Sequence, residues 1–205
     1  MVYRIYVEKK PEFQLEAKAL KNDLEDTLAL KIKSLRILNR YDVENIEEPL
    51  FNTAIDTILS EPQLDNTFKS LPNADFSFAV TYLPGQFDQR AQSATECISF
   101  LCPEAHPVVR TAKVYLIDGL KTDTTDKVKK YIINPVEAKE DSLEEKESLS
   151  LKADKPKEVE ILTGFTTYSD EQIQETLSHF NLAMDKEDLL LFQSYFKKEG
   201  REPSV

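Results

Sequence analysis

The stretch SLRILNRYDV (residues 34–43) has a counterpart of the same type in VVRTAKVYLI (residues 108–117). Both stretches alternate apolar and polar side chains over much of their length, which is typical of strands that bury one face. The offset of 74 residues between them aligns Tyr41 with Tyr115. The two stretches therefore predict a pair of equivalent strands, and the constant offset indicates that the chain around them is duplicated.

The order strand–helix–strand–helix occurs twice along the chain, which supports the duplication. In the first copy the predicted elements are strand 2–8, a helix from Pro11 to about Leu30, strand 34–43 and helix 47–59. In the second they are strand 76–83, helix 88–101, strand 108–117 and a helix that Asp123 or Thr124 caps and Pro135 ends. Identical residues at the same offset include Phe13 and Phe87, Ala17 and Ala91, Arg36 and Arg110, and Ile58 and Ile132.

Each copy by itself has too few strands to bury both of its helices. We therefore predict an α+β domain over residues 1–165, made of two ferredoxin-like halves related by a pseudo-two-fold axis. The halves are about 1–73 and 74–137. The stretch 138–158 is rich in Glu, Lys and Ser with few large apolar residues, and it predicts a solvated, flexible linker.

The last segment, residues 166–205, is predicted to be helical. Ser169 and Gln172 form a capping box, and Asn181 suits the end of that helix. Asp185 begins a second helix, which Gly200 ends. Apolar residues surround this helix almost completely between 189 and 196, so we expect it to pack on more than one surface. Only five residues follow Gly200, which led us to expect a longer parent protein.

Composition excludes several classes of function. The chain has 26 Lys and Arg against 37 Asp and Glu, a net charge of −11, which argues against binding to nucleic acid or to anionic membranes. Its 4 glycines are far apart, so no phosphate-binding loop or dinucleotide fingerprint can be built from them. No apolar run approaches the ~18 residues of a membrane span. We expect a cytoplasmic protein without membrane contact.

Catalytic chemistry has little support in the sequence. Cys97 and Cys102 have neither a zinc nor a redox spacing, and they are expected to be ordinary reduced thiols. His106 follows Cys102 by four residues, but nothing else supports a nucleophile–base pair, and a hydrolase is a remote alternative. His179 is expected to face solvent. We predict no catalytic, cofactor-binding or metal-binding residue in these 205 residues.

The run LPGQFDQRA (residues 83–91) stands out because it crowds polar side chains at the start of a helix. From the residues alone it is a turn followed by a helix cap, with Asp88 as the cap and Arg90 in a nearby salt bridge. The alternative is a functional surface patch. The candidate interface motif comprises Pro84, Gly85, Gln86, Phe87, Asp88, Gln89 and Arg90.

The same run, with Ser93–Ala94 after it, resembles a segment of phosphoribosylformylglycinamidine synthase in its large single-chain form. Further stretches are similar to the N-terminal region of that family in the same order. They are YRIYVEKK (residues 3–10), RILNRYDV (36–43), the EP and Asp65 pattern from Glu61, NPV (134–136), NLAM (181–184) and YFKKEGREP (195–203). The resemblance covers almost the whole chain.

The resemblance implies a part of a ligase of purine biosynthesis, which converts formylglycinamide ribonucleotide to the amidine with glutamine as the nitrogen donor. The full enzyme would use ATP and Mg²⁺, in domains outside this sequence. Residues 1–165 would be the N-terminal domain and 166–205 the start of the helical linker domain. The partners would be the synthetase and glutaminase domains of the same chain, which this domain would help to join around a shielded route for ammonia. By itself it would be inactive. The alternative is a stand-alone acidic protein-interaction module.

Overall fold

The computed structural model describes residues 1–150 and 158–204, which form two compact units, Met1–Leu151 and Lys152–Val205. The division between units falls within the stretch predicted as a linker, whereas the sequence placed the domain boundary at 165. Residues 151–157 of that stretch lie outside the described residues.

The first unit is built on one antiparallel sheet, which confirms the predicted α+β class. Its strands are β1 (Val2–Lys9), β2 (Ser34–Glu44), β3 (Asp65–Phe68), β4 (Phe76–Tyr82), β5 (Val108–Asp118) and β6 (Ala138–Asp141). They lie in the order β3-β1-β2-β5-β4-β6, and every neighbouring pair is antiparallel. The equivalent stretches 34–43 and 108–117 lie in β2 and β5, which pair along their full length at the centre of the sheet, with Asn39 opposite Lys113.

Four helices of this unit cover one face of the sheet. They are α1 (Leu15–Leu28), α2 (Glu48–Ala54), α3 (Gln89–Leu101) and α4 (Thr125–Ile132), and a π-helical turn, Ile55–Leu59, follows α2. Leu24 of α1, Ile98 of α3 and Val128 of α4 have no exposed surface, because they pack into two apolar clusters with alternate residues of the strands. We call this the helical face.

On the opposite face of the sheet, no residue of a helix within the described residues belongs to the apolar cluster. It contains Leu38, Val114 and Leu116, and loop residues such as Leu71 and Leu143 pack against them. We call it the strap face, since residues 142–149 cross it after β6. Two polar residues of β2, Arg40 and Asp42, lie on this face and are almost completely buried.

Several local predictions were wrong. The helix predicted from Pro11 begins at Leu15, because Pro11–Phe13 is a separate 3₁₀ turn in which Phe13 is half exposed. No strand was predicted at Asp65–Phe68, which is an edge strand, because a four-residue strand has no readable alternation. No side chain of residue 123 or 124 caps α4. Residues 138–141 form β6 rather than the start of a linker.

The second unit contains α5 (Asp170–Phe180) and α6 (Lys186–Glu199) around a small core of Phe165, Ile173, Leu177 and Leu189. The predicted capping box of Ser169 and Gln172 is confirmed, as are the caps at Asp185 and Gly200. Asn181 ends α5 in the left-handed conformation, as predicted. The chain then returns to the start of this unit, where Ile161 bridges to Ser204.

Candidate functional site

The motif at residues 84–90 begins with an exposed turn between β4 and α3. The amide of Gln86 donates to the carbonyl of Leu83 at 3.0 Å. Gly85 has a φ of +91°, a backbone conformation that is strained for residues with a side chain. The turn therefore requires glycine at this position, after a proline that suits the preceding one. Gln86 is exposed, and Phe87 is 72% exposed. The turn therefore presents an aromatic side chain to solvent.

Asp88 is the structural residue of the motif. One carboxylate oxygen caps α3 by accepting from the Ala91 amide at 2.9 Å. The other accepts from the Thr111 hydroxyl at 2.7 Å and the Thr111 amide at 3.3 Å. The predicted cap is confirmed, and Asp88 also fixes the start of α3 to β5.

Arg90 is held by a different partner from the one predicted. Its Nη1 donates to the Tyr41 hydroxyl at 3.2 Å, and among the described residues it forms no salt bridge. Burial disfavours its charge, but the Tyr41 hydrogen bond and the nearby carboxylates of Asp88 and Glu16 outweigh burial and raise the pKa of Arg90. The guanidinium is therefore positively charged, with most of its donors uncommitted.

The end of the motif lines a cleft of about 650 Å³ on the helical face. Asp88, Gln89 and Arg90 form part of its wall, and β2 and β5 contribute polar side chains to it. These are Asn39, Tyr41, Thr111, Lys113 and Tyr115. A smaller cleft of about 450 Å³ lies against α1 and shares Tyr115. The motif therefore divides into an exposed turn, a structural aspartate and one side of a cleft.

The other candidates remain apart. Cys97 and His106 are exposed, and Cys102 is half-buried. Among the hydrogen bonds of the described residues, none joins Cys102 to His106. His179 is exposed and lies edge-on to Phe180. No group of three His, Cys, Asp or Glu side chains in the described ranges is placed to hold a metal ion.

Sequence reasoning missed the cleft, because its floor comes from strand residues that are far apart in the chain. One signal pointed to it. Tyr41 and Tyr115 are among the identities at the offset of 74, and both line the cleft. Nothing in the sequence marked Lys113 as a residue of the cleft, where it pairs with Glu16 of α1 at 2.5 Å.

Comparison with family models and with curated proteins supplies no relative. No family model matches the chain, and no curated protein matches it. Among the helices within residues 1–150 and 158–204, none is both long enough and apolar enough to cross a membrane.

Proposed function

We propose that this chain is the N-terminal region of a phosphoribosylformylglycinamidine synthase, in which residues 84–90 dock against another domain of the enzyme. The resemblance of residues 83–91 carries the assignment to this enzyme, and the exposure of the motif carries the docking role. Of its side chains, the fold uses Asp88 as a cap and Arg90 as a partner of Tyr41, while Gln86 and Phe87 face solvent. An exposed Phe beside uncommitted polar groups is typical of a protein interface.

The finer fold proposal is that the first unit consists of two ferredoxin-like halves related by a pseudo-two-fold axis. The register of β2 and β5 supports it. Asn39 pairs with Lys113, and Lys113 is also the residue that corresponds to Asn39 in the second half, at an offset of 74. A two-fold axis that exchanges the halves therefore exchanges these two residues and leaves the pair unchanged. An offset of 73 similarly converts the Tyr6–Phe68 pair of β1 and β3 into the Ala79–Asp141 pair of β4 and β6.

In this proposal the first unit has a docking role rather than a catalytic one. The full enzyme would transfer ammonia from a glutaminase domain to a synthetase domain that binds ATP and Mg²⁺. Because ammonia is protonated and lost if it meets water, the domains around its route must close tightly. Phe87 and Gln86 would contribute to that closure.

The second unit offers a further apolar surface. Leu191, Phe192 and Tyr195 of α6 are 68%, 46% and 50% exposed. These residues lie on neighbouring positions of one helix, and such a patch is typical of a surface that another protein element covers. This supports a role within a larger assembly, and it is equally compatible with a stand-alone interaction module.

The assignment is tested first in the source cells by depletion of the protein. We expect a requirement for added purines and accumulation of formylglycinamide ribonucleotide, measured by mass spectrometry of cell extracts. An immunoblot with antibody against this chain should show a band far above 23.5 kDa. Growth without purines after complete depletion would contradict the assignment. A band at 23.5 kDa would favour the interaction module.

The docking role is tested with Phe87→Ala and Gln86→Ala in the enzyme purified from the same cells. We expect the glutamine-dependent rate to fall at least fivefold while the ammonia-dependent rate changes less than twofold. Phe100→Ala is the matched control, because Phe100 is 84% exposed on α3 but lies outside the motif. Equal effects at Phe87 and Phe100, or none at either, would remove the docking role and leave the enzyme assignment in place.

A further inference from the structure

The cleft on the helical face has the size of a small-molecule site. A ligand in this cleft would be independent of the function proposed above. The cleft volume of about 650 Å³ lies within the usual range of ~300–1,000 Å³ for ligand sites. The α3 side of the cleft is lined by Ser93, Ala94 and Cys97. At the offset of 74, α1 carries Leu20 where α3 carries Ala94, and Leu20 borders the smaller cleft. The small side chains of α3 leave room for a ligand.

Two buried tyrosines provide donors to this cleft. Tyr115 is 93% buried, but its hydroxyl keeps some accessible surface in the cleft and forms no hydrogen bond with another described residue, so it is free to donate to a ligand. Burial, together with the charge of Glu16, raises the pKa of Tyr115 to about 12, so its hydroxyl stays protonated near neutral pH. The Tyr41 hydroxyl accepts from Arg90, and its own proton is available.

Some of the charged side chains that line the cleft already have partners, and others are available to a ligand. Lys113 is paired with Glu16, and both carboxylate oxygens of Asp88 are occupied. Arg90 uses only one of its donors within the described residues, so it is the cation available to a ligand. Glu137, in the turn after α4, has no described side-chain hydrogen bond and can accept from hydroxyl groups.

From these groups we infer that the cleft binds a small anion that carries hydroxyl groups, with a sugar phosphate as the ligand class. Arg90 and the hydroxyls of Tyr41 and Tyr115 hold the phosphate, since a guanidinium and neutral donors match its oxygens. Glu137 and the side-chain amide of Asn39 bind the sugar hydroxyls.

The probes are ribose 5-phosphate, inorganic phosphate and ribose, titrated into the ¹⁵N-labelled 205-residue chain and followed by amide chemical shifts. We expect saturable shifts from ribose 5-phosphate at residues of β2, β5 and α3 that line the cleft. Inorganic phosphate and ribose should each bind at least tenfold more weakly, because each can occupy only part of the site. Equal affinity for inorganic phosphate would overturn the assignment to a hydroxyl-bearing ligand.

Variants then locate the binding groups. Tyr115→Phe removes one hydroxyl and should raise the dissociation constant for ribose 5-phosphate about fivefold, and Arg90→Gln at least tenfold. Tyr195→Phe and Arg201→Gln, both in the second unit, should leave it unchanged. No saturable shift in the unmodified chain at millimolar ribose 5-phosphate, or equal losses in the control variants, would overturn the proposal. The titration of the unmodified chain tests the proposal even if a variant fails to fold.

Discussion

The two faces of the sheet are sealed by different physical means. On the helical face, four helices cover apolar residues of the strands, and most of the core contacts are between apolar side chains. On the strap face the covering segment is an irregular stretch, residues 142–149, and it is held largely by charges. Arg4 donates to the carbonyls of Leu143 and Glu144 at 2.9 and 2.8 Å.

The strap face depends on one ionic network. Asp42 is fully buried between Arg4, at 2.5 Å, and Arg40, at 3.1 Å. Arg40 also pairs with Asp141 at the end of β6 and donates to the Ser142 carbonyl at 2.7 Å. A helix satisfies its own backbone groups, but an extended strap cannot, so its carbonyls need donors from the sheet. The arginines supply these donors.

The largest expected effect comes from breaking this network. Asp42→Ala leaves Arg4 and Arg40 without their shared carboxylate and should lower the free energy of unfolding by about 3–5 kcal/mol. Urea denaturation followed by circular dichroism measures the change. Asp42→Asn, which keeps an acceptor oxygen for Arg4, should lose less than Asp42→Ala. A loss below about 1 kcal/mol in Asp42→Ala would mean that water already solvates these charges.

The corresponding change on the helical face removes packing alone. Leu24→Ala in α1 should cost about 3 kcal/mol in the same experiment, because Leu24 has no exposed surface and leaves a cavity. Leu15→Ala, in the first turn of the same helix, is the control, since Leu15 is 73% exposed and should change stability by less than about 0.5 kcal/mol. Similar losses for both residues would show that α1 is poorly packed.

Asp88 tests the connection between a helix and the helical face. Asp88→Ala removes the cap of α3 and its hydrogen bonds to Thr111, and it should cost about 1–2 kcal/mol. Asp88→Asn keeps an acceptor for the Ala91 amide and should cost less than half as much. If the two variants are equally destabilised, the charge of Asp88 matters more than the cap.

The smallest effect is a dependence on pH that belongs to the strap face. Burial of Asp141 favours its neutral form, but Lys146 at 2.7 Å and Arg40 outweigh burial and lower the pKa of Asp141. Its contribution to stability is therefore present above the unfolded pKa, about 4, and is lost as pH falls through the lower folded value. Asp141→Asn should show a shallower fall in unfolding free energy between about pH 5 and 2. An unchanged slope would place the acid sensitivity elsewhere.

The sequence predicted the strands of the central pair well, because β2 and β5 alternate and pack on a covered face. It missed β3 and β6, which have four residues each and take their structure from the longer strands beside them. It predicted the caps at Asp88, Ser169 and Asp185, since caps depend on residues three positions apart. It gave Arg90 a carboxylate partner, whereas the structure gives it Tyr41, a residue 49 positions away.

The sequence alone determined what depends on local chemistry: the α+β class, the turn at Gly85, the helix caps and the offset between β2 and β5. The tertiary structure decided what depends on distant residues meeting. Arg40 and Asp42 occupy positions that alternation assigns to solvent, and only the crossing of residues 142–149 buries them. The cleft likewise depends on tertiary structure, because α3 places the small side chain of Ala94 over two strands. The size of the side chains that meet there leaves the space, and their order in the chain does not show which side chains meet.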